Sequence, residues 1–150
     1  MEKKKILSIA AALVGVLAFF AVKYSLPPIL DNIKINKDLK EAAESENSKC
    51  PNTIADGLVM EKVTFVKKDK KVIYEARFIN YGKSDFNLEE FRSTVTQGLI
   101  NEMAVVIKSD DSFKGMINKN VIFEYVYLDN EYEELARVKI LLNDPVTAVK

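Results

Sequence analysis

An uninterrupted apolar run of 17 residues near the start of the chain limits what the rest can become. Residues Ile6 to Val22 include no charged residue, and all of them except Ser8 and Gly15 are hydrophobic. As a helix rising about 1.5 Å per residue, the run would span roughly 26 Å, close to the ~30 Å hydrocarbon core of a bilayer. The run therefore predicts a transmembrane helix, and we assign residues 1–24 to an N-terminal membrane anchor.

The residues that flank this run predict its orientation. Three lysines (Lys3, Lys4 and Lys5) precede it, and Lys23 and Tyr24 follow it. By the positive-inside rule the N-terminus stays in the cytoplasm and the remaining chain is periplasmic or otherwise extracytoplasmic. A cleaved signal peptide is the alternative, but the run exceeds the usual ~7–15 apolar residues and residues 19–25 offer no small-x-small cleavage site. An uncleaved signal-anchor in the inner (cytoplasmic) membrane of a bacterium is favoured.

Composition argues against several classes of function. The chain has no histidine and one cysteine, Cys50, so the commonest general base and the usual transition-metal ligands are missing. We expect no enzymatic activity, no cofactor and no metal. Of 22 basic and 22 acidic residues, four and one precede residue 24, which leaves 18 and 21 and a net charge of about −3. Such a domain repels phosphate backbones, so no nucleic-acid partner is expected.

After the apolar run the pattern predicts one small α+β domain. Pro27 and Pro28 end the membrane helix, since proline lacks the backbone donor that a helix needs. We interpret residues 25–35 as a stem, 36–144 as the extracytoplasmic domain and 145–150 as a tail. The predicted order is α-β-β-α-β-β, with helices at 36–47 and around an apolar stripe, and hairpins at 58–66 with 72–79 and at 121–128 with 134–142. The stripe residues recur every three or four positions: Leu88, Phe91, Val95, Leu99, Met103 and Val106.

Alternation along the strands predicts a four-stranded antiparallel sheet with its helices packed on one face. The face toward the helices collects apolar and aromatic residues, namely Val72, Tyr74, Ala76, Phe78, Val121, Phe123, Tyr125, Tyr127, Ala136, Val138 and Ile140. Leu135 falls on the other, mixed face. The residues of that face that we single out as a possible partner-binding surface are Ile73, Glu75, Arg77, Glu124, Val126, Leu128, Arg137 and Lys139.

Each candidate feature also has a purely structural interpretation. The mixed face is either a contact surface for a partner or a second copy, or a solvated face with cross-strand ion pairs. The aromatic row on the other face is either a ligand groove or a packed core. The acidic turn at residues 129–134 lacks the glycine of a calcium loop, so a solvated turn is preferred to a weak cation site. Cys50 is either a free thiol or a link between chains.

Together these features predict a small single-pass membrane protein whose extracytoplasmic domain binds another protein. An accessory subunit of an envelope assembly and an inhibitor or immunity-type factor both fit this description. The alternative is a small-ligand carrier or sensor that binds between the sheet and a helix. The identity of the partner, the type of envelope and the oligomeric state stay open.

Overall fold

The computed structural model of this chain describes residues 32–109 and 115–149. The predicted membrane anchor at residues 6–22 and the stem up to residue 31 lie outside these ranges. Within them, no helix combines the length and the hydropathy that crossing a bilayer requires.

A six-stranded sheet and two helices make up the described fold. The elements are α1 (Asn32–Asn47), β1 (Asn52–Ala55), β2 (Leu58–Val66), β3 (Lys71–Phe78), α2 (Leu88–Ser109), β4 (Ile122–Leu128), β5 (Glu134–Leu141) and β6 (Thr147–Val149). The strands lie side by side in chain order. Every neighbouring pair is antiparallel except β3 and β4, which are parallel. The predicted α+β class is confirmed, but the prediction of four antiparallel strands is wrong in both number and direction.

The parallel pairing of β3 with β4 follows from the helix between them. Two parallel strands need a long crossover connection, which is usually a helix, and α2 carries the chain from the end of β3 back to the level at which β3 began. Alternation of apolar and polar residues predicts which side chains share a face of the sheet, but it does not predict whether neighbouring strands run parallel or antiparallel. The predicted hairpins β2–β3 and β4–β5 are present, and the error lies in how the two hairpins join.

The two strands that the sequence did not predict are the short edge strands. In β1, Ala55 pairs with Leu58 across a two-residue turn of Asp56 and Gly57, and Gly57 has a φ of +76°, which glycine adopts without strain. An Asp-Gly turn is a recognised hairpin signal, but four residues carry too little alternation to predict a strand. β6 lies within the predicted tail, and its three residues are all exposed.

Both helices pack on the same face of the sheet. Ile35, Leu39 and Ala43 of α1 belong to one buried cluster with the apolar strand residues and with the α2 stripe. α1 begins four residues before its predicted start at residue 36. The Asn87 side chain accepts a hydrogen bond from the Glu90 backbone N–H (3.2 Å) and so caps α2.

Two bulges adjust the faces of the strands. Between Met60 and Lys62 of β2 the register shifts, so no residue of β3 lies opposite Glu61 in the backbone pairing. On β5, Tyr127 pairs with Ala136 but Leu128 pairs with Glu134, so Leu135 is the extra residue. Leu135 is fully buried in the cluster beneath the helices. Its predicted position on the mixed face is therefore wrong, because a bulge turns the side chain to the opposite face.

Candidate interaction face

The face of the sheet opposite the helices, which we call the outer face, brings all eight predicted site residues together. They form three rows across the central strands: Ile73, Glu124 and Lys139; Glu75, Val126 and Arg137; and Arg77 with Leu128. Both described helices lie on the other side of the sheet.

Glu124 lies at the centre of the outer face and is 1% exposed. Its Oε2 is 3.1 Å from Nη1 of Arg137 and 3.6 Å from Nζ of Lys71, and its Oε1 is 3.7 Å from Nζ of Lys139. Three cations, one on β3 and two on β5, therefore surround one buried carboxylate on β4. We call Glu124, Lys71, Arg137 and Lys139 the charge cluster.

The side chains of the charge cluster differ in their exposure to solvent. Lys71 is 16% exposed, Lys139 is 36% exposed and Arg137 is 44% exposed. Arg137 also donates a hydrogen bond from Nε to Glu134 Oε1 (3.0 Å). This bond, together with the charges of Glu134, Glu124 and Glu75, outweighs desolvation and raises the pKa of Arg137. The cluster thus presents charged tips at the surface while its carboxylate stays dry.

Lys71 is the member of the charge cluster that the sequence did not predict. It is the first residue of β3 and has the same parity as Ile73, Glu75 and Arg77, so alternation would have placed it on this face. Its role depends on Glu124, however, and only the parallel register between β3 and β4 brings the two together.

A second charged contact lies at the other end of the outer face. Arg77 donates a hydrogen bond from Nε to Glu61 Oε1 (2.6 Å), and its guanidinium carbon lies 4.5 Å from the centre of the Tyr132 ring. Glu61 is the bulge residue of β2, so the bulge creates this pair. Arg77 is held both by a charge-assisted hydrogen bond and by a cation–π contact.

The apolar residues of the outer face are only partly available for contact. Val126 is 2% exposed, whereas Ile73 and Leu128 are half-buried. A partner would therefore touch Ile73, Leu128 and the tips of the cations, but neither Val126 nor the carboxylate of Glu124.

The aromatic row on the opposite face is packed rather than open. Tyr74, Phe78, Phe123, Tyr125 and Tyr127 are at most 5% exposed, and the rings of Tyr74 and Tyr125 stack with their centres 5.2 Å apart. Burial raises the pKa of Tyr74, Tyr125 and Tyr127. The packing favours the core interpretation of this row over the ligand groove.

The acidic turn between β4 and β5 is organised by Asp129, which is 2% exposed. Its Oδ1 accepts hydrogen bonds from the backbone N–H groups of Glu131 and Glu133 (both 2.8 Å), and its Oδ2 accepts one from Lys83 N–H (2.9 Å). Desolvation acts to raise the pKa of Asp129, but these three bonds and the charge of Lys83 together lower it. The carboxylate thus holds the turn against the loop that contains Lys83.

The described residues contain neither a cluster of metal-binding side chains nor an activated thiol. Within residues 32–109 and 115–149, no group of three Cys, Asp or Glu side chains is arranged to hold a metal ion. Cys50 is a free, half-buried thiol that contacts the carbonyl oxygen of Glu46 (3.5 Å). Burial, and then the charges of Glu46 and Glu61, raise the pKa of this thiol, so little of it is thiolate at neutral pH.

Comparison with known proteins identifies a family. The family model described as "Domain of unknown function (DUF8479)" matches residues 34–136. The chain belongs to this family. The matched segment runs from the first turn of α1 into β5 and so contains six of the eight predicted face residues and Lys71, but not Arg137 or Lys139.

The other comparisons contribute little. No curated protein matches the chain. One solved structure, titled as a "putative secreted protein" from Pseudomonas aeruginosa, is similar over 71% of this chain and 89% of its own, with 14% sequence identity and a TM-score of 0.49. A similarity of this size carries no functional argument.

The bonds of Asp129 predict a pH-dependent loss of stability in Asp129→Asn. A carboxylate whose pKa is lowered by folding stabilises the protein above its unfolded pKa of about 3.9, and this contribution disappears as the pH falls through the folded value. We expect Asp129→Asn to lose about 1–3 kcal/mol at pH 7 and the gap to the wild type to close below about pH 4. Urea unfolding of the full chain in detergent at several pH values measures this. Glu131→Gln, an exposed change in the same turn, is the control, and an equal loss at every pH would contradict the assignment.

The charge cluster predicts that Glu124→Ala is strongly destabilising. Removal of the carboxylate leaves three neighbouring cations without their common partner, and breaking a buried ion pair on one side costs about 3–5 kcal/mol. Glu44→Ala removes an exposed carboxylate from its pair with Lys40 (3.9 Å) and should change the free energy of unfolding by less than about 0.5 kcal/mol. If both variants unfold at the same urea concentration, the charge cluster does not stabilise the sheet.

Proposed function

We propose that the domain is an extracytoplasmic protein-binding module, tethered to the inner membrane by residues 6–22, and that the outer face is its contact surface. An accessory subunit of an envelope assembly or an inhibitor or immunity-type factor is the kind of protein that this describes. The partner should offer acidic side chains opposite Arg137 and Lys139 and an apolar residue opposite Ile73 and Leu128.

The observation that carries the proposal is the burial of Glu124 among three cations on the face away from the helices. Burial of a carboxylate costs several kcal/mol even when it is paired, and well-packed apolar residues are often as stabilising or more so. A solvated face needs no buried charge at all. Stability alone therefore gives little reason for the cluster, whereas specific recognition gives one: it holds cationic tips at defined positions.

The geometry of the cluster lowers the cost of association. Immobilising a long side chain on binding costs about 0.5–1.5 kcal/mol, and the ion pairs with Glu124 and Glu134 already restrict Arg137 and Lys139. Partly exposed charges at the edge of an interface mainly steer encounter and reject wrong partners. The half-buried Ile73 and Leu128 supply apolar area beside them.

The small-ligand alternative finds less support in the described residues. A carrier would need open space between sheet and helix, and the aromatic row there is at most 5% exposed. A surface hollow of about 410 Å³ beside β5 is lined by Arg92, Thr96, Glu134, Ala136, Arg137 and Val138. Its lining is somewhat more polar than apolar, whereas the clefts that carry small ligands are mostly apolar.

The proposed location predicts a specific labelling pattern. In a Cys50→Ser background, Val105→Cys places a thiol on a side chain that is 62% exposed on α2, and Glu2→Cys places one before the apolar run. We expect a membrane-impermeant maleimide to label Val105→Cys without disruption of the inner membrane, and Glu2→Cys only after disruption. The chain should also stay in the membrane after alkaline extraction. If Glu2→Cys were labelled without disruption, the topology would be the opposite of the one proposed. Release of the chain by alkali would show that residues 6–22 do not anchor it in the membrane.

The contact surface is tested by site-specific photocrosslinking in cells. A photoreactive amino acid at Ile73 or Leu128 should yield a discrete adduct with another protein or with a second copy, because these side chains lie in the proposed interface. The same group at Val105, which is 62% exposed on the other side of the molecule, is the matched control. Lys139→Gln removes one partly exposed cation and leaves Glu124 its closer contacts with Arg137 and Lys71. It should reduce the adduct at least about threefold, which corresponds to about 0.7 kcal/mol. Equal adducts at Val105 and Ile73 would refute the outer face as the contact surface.

A further inference from the structure

Lysines concentrate at one end of the described fold, which we call the basic end. The turn between β2 and β3 holds three of them and β3 begins with a fourth, Lys71. The Lys70 side chain donates a hydrogen bond to the backbone carbonyl of Lys119 just before β4 (3.3 Å). The first turns of α1 lie beside this turn, because Asn36, Lys37, Lys40, Phe65 and Lys67 line one surface hollow of about 330 Å³. The lysines of the basic end are Lys34, Lys37, Lys40, Lys67, Lys68, Lys70, Lys71, Lys108 and Lys119.

The opposite end of the sheet carries the reverse charge. It contains the β1–β2 turn, the start of α2 and the β4–β5 turn, and its acidic residues are Asp56, Asp85, Glu89, Glu90, Asp129, Glu131, Glu133 and Glu134. Lys83, Arg92 and Arg77, which contacts Tyr132 of the β4–β5 turn, are the basic residues among them. At the basic end, the described acidic residues are Asp38, Glu41, Glu44, Asp69 and Asp144. Asp31, Asp110, Asp111 and Lys114 fall outside the described residues, so this balance does not include them.

The basic end is also the end at which residues 1–31 join the fold, since α1 begins there at Asn32. Residues 23–31 separate α1 from the apolar run, and nine residues reach at most about 30 Å when fully extended. Electrostatic attraction between exposed charges acts over about 8–10 Å at physiological salt. A connection of this length lets the lysines come within that distance of the membrane surface.

We propose that the basic end rests on the anionic phospholipid headgroups of the bilayer that holds residues 6–22, and so points the acidic end away from the membrane. This inference rests on the anchoring proposed above. Anionic lipids attract lysines near the surface, and the same potential repels the acidic end, so both halves of the charge distribution favour one orientation. The outer face then stands roughly perpendicular to the membrane, where a partner can reach it from the side.

A bilayer fits the basic end better than a single phosphate ion does. The lysines are spread over α1, the β2–β3 turn, the end of α2 and the segment before β4, and only a minority of them line the hollow beside Phe65. Spread charges on flexible stems match a plane of headgroups, whereas one phosphate needs convergent donors.

The test measures how close each end of the full chain lies to the lipid. In a Cys50→Ser background, Lys68→Cys carries a fluorophore at the basic end, and Glu131→Cys carries the same fluorophore at the acidic end as the matched control. The chain is reconstituted into vesicles of phosphatidylcholine alone or with phosphatidylglycerol, each with a headgroup-attached nitroxide quencher. We expect quenching of the Lys68→Cys probe to be at least about twofold stronger with phosphatidylglycerol and to weaken at high salt, while the Glu131→Cys probe changes little.

A charge variant sharpens the comparison. Lys67→Gln, Lys108→Gln and Lys119→Gln together remove three charges of the basic end. We expect this triple variant to abolish the gain, that is, the increase in quenching of the Lys68→Cys probe that phosphatidylglycerol causes. The inference is overturned if the Lys68→Cys probe is quenched equally in both lipids, or if the triple variant keeps the gain. It is also overturned if inorganic phosphate removes the gain where chloride of equal ionic strength does not, since that would indicate a discrete anion site. Failure of the chain to float with phosphatidylcholine vesicles would refute the anchoring itself, whereas flotation without the gain refutes only the orientation.

Discussion

The parallel pairing of β3 with β4 is the constraint on which the remaining architecture depends. It joins two antiparallel hairpins through their inner strands, and it obliges the chain to cross the length of the sheet between them. α2 makes that crossing and buries its apolar stripe on the same face as α1. Because both described helices pack on one side, the outer face is left to the side chains of the strands themselves.

On the outer face, charged as well as apolar side chains cover the sheet. Lys71, Arg137 and Lys139 extend their hydrocarbon stems across the sheet and meet at Glu124, so their stems cover apolar surface while their charged ends stay near water. The face is consequently neither a bare hydrophobic patch nor a freely solvated one. Its positively charged tips are held in place by these ion pairs, which is what the proposed recognition of an acidic surface requires.

The parts of this structure that were predictable are those that depend on local periodicity. Spacings of three and four predicted α2, and alternation placed all eight face residues on one side of the sheet. Features that depend on how strands meet were beyond this reasoning. Lys71 reaches Glu124 only through the parallel register. The pair of Arg77 with Glu61 requires a bulge, and Leu135 changes face because of another. The opposite charges of the two ends likewise emerge only once the direction of every strand is known.

The crossover also sets an order of events for the folding chain. β2 and β3 can form a hairpin as soon as they are made, but the inner edge of β3 has no partner until residues 122–128 exist, more than 40 positions later in the sequence. Contacts between such distant segments form slowly, and an unpaired strand edge attracts other chains. During synthesis, the nascent protein therefore passes through a stage at which association with a sister polypeptide competes with completion of its own sheet.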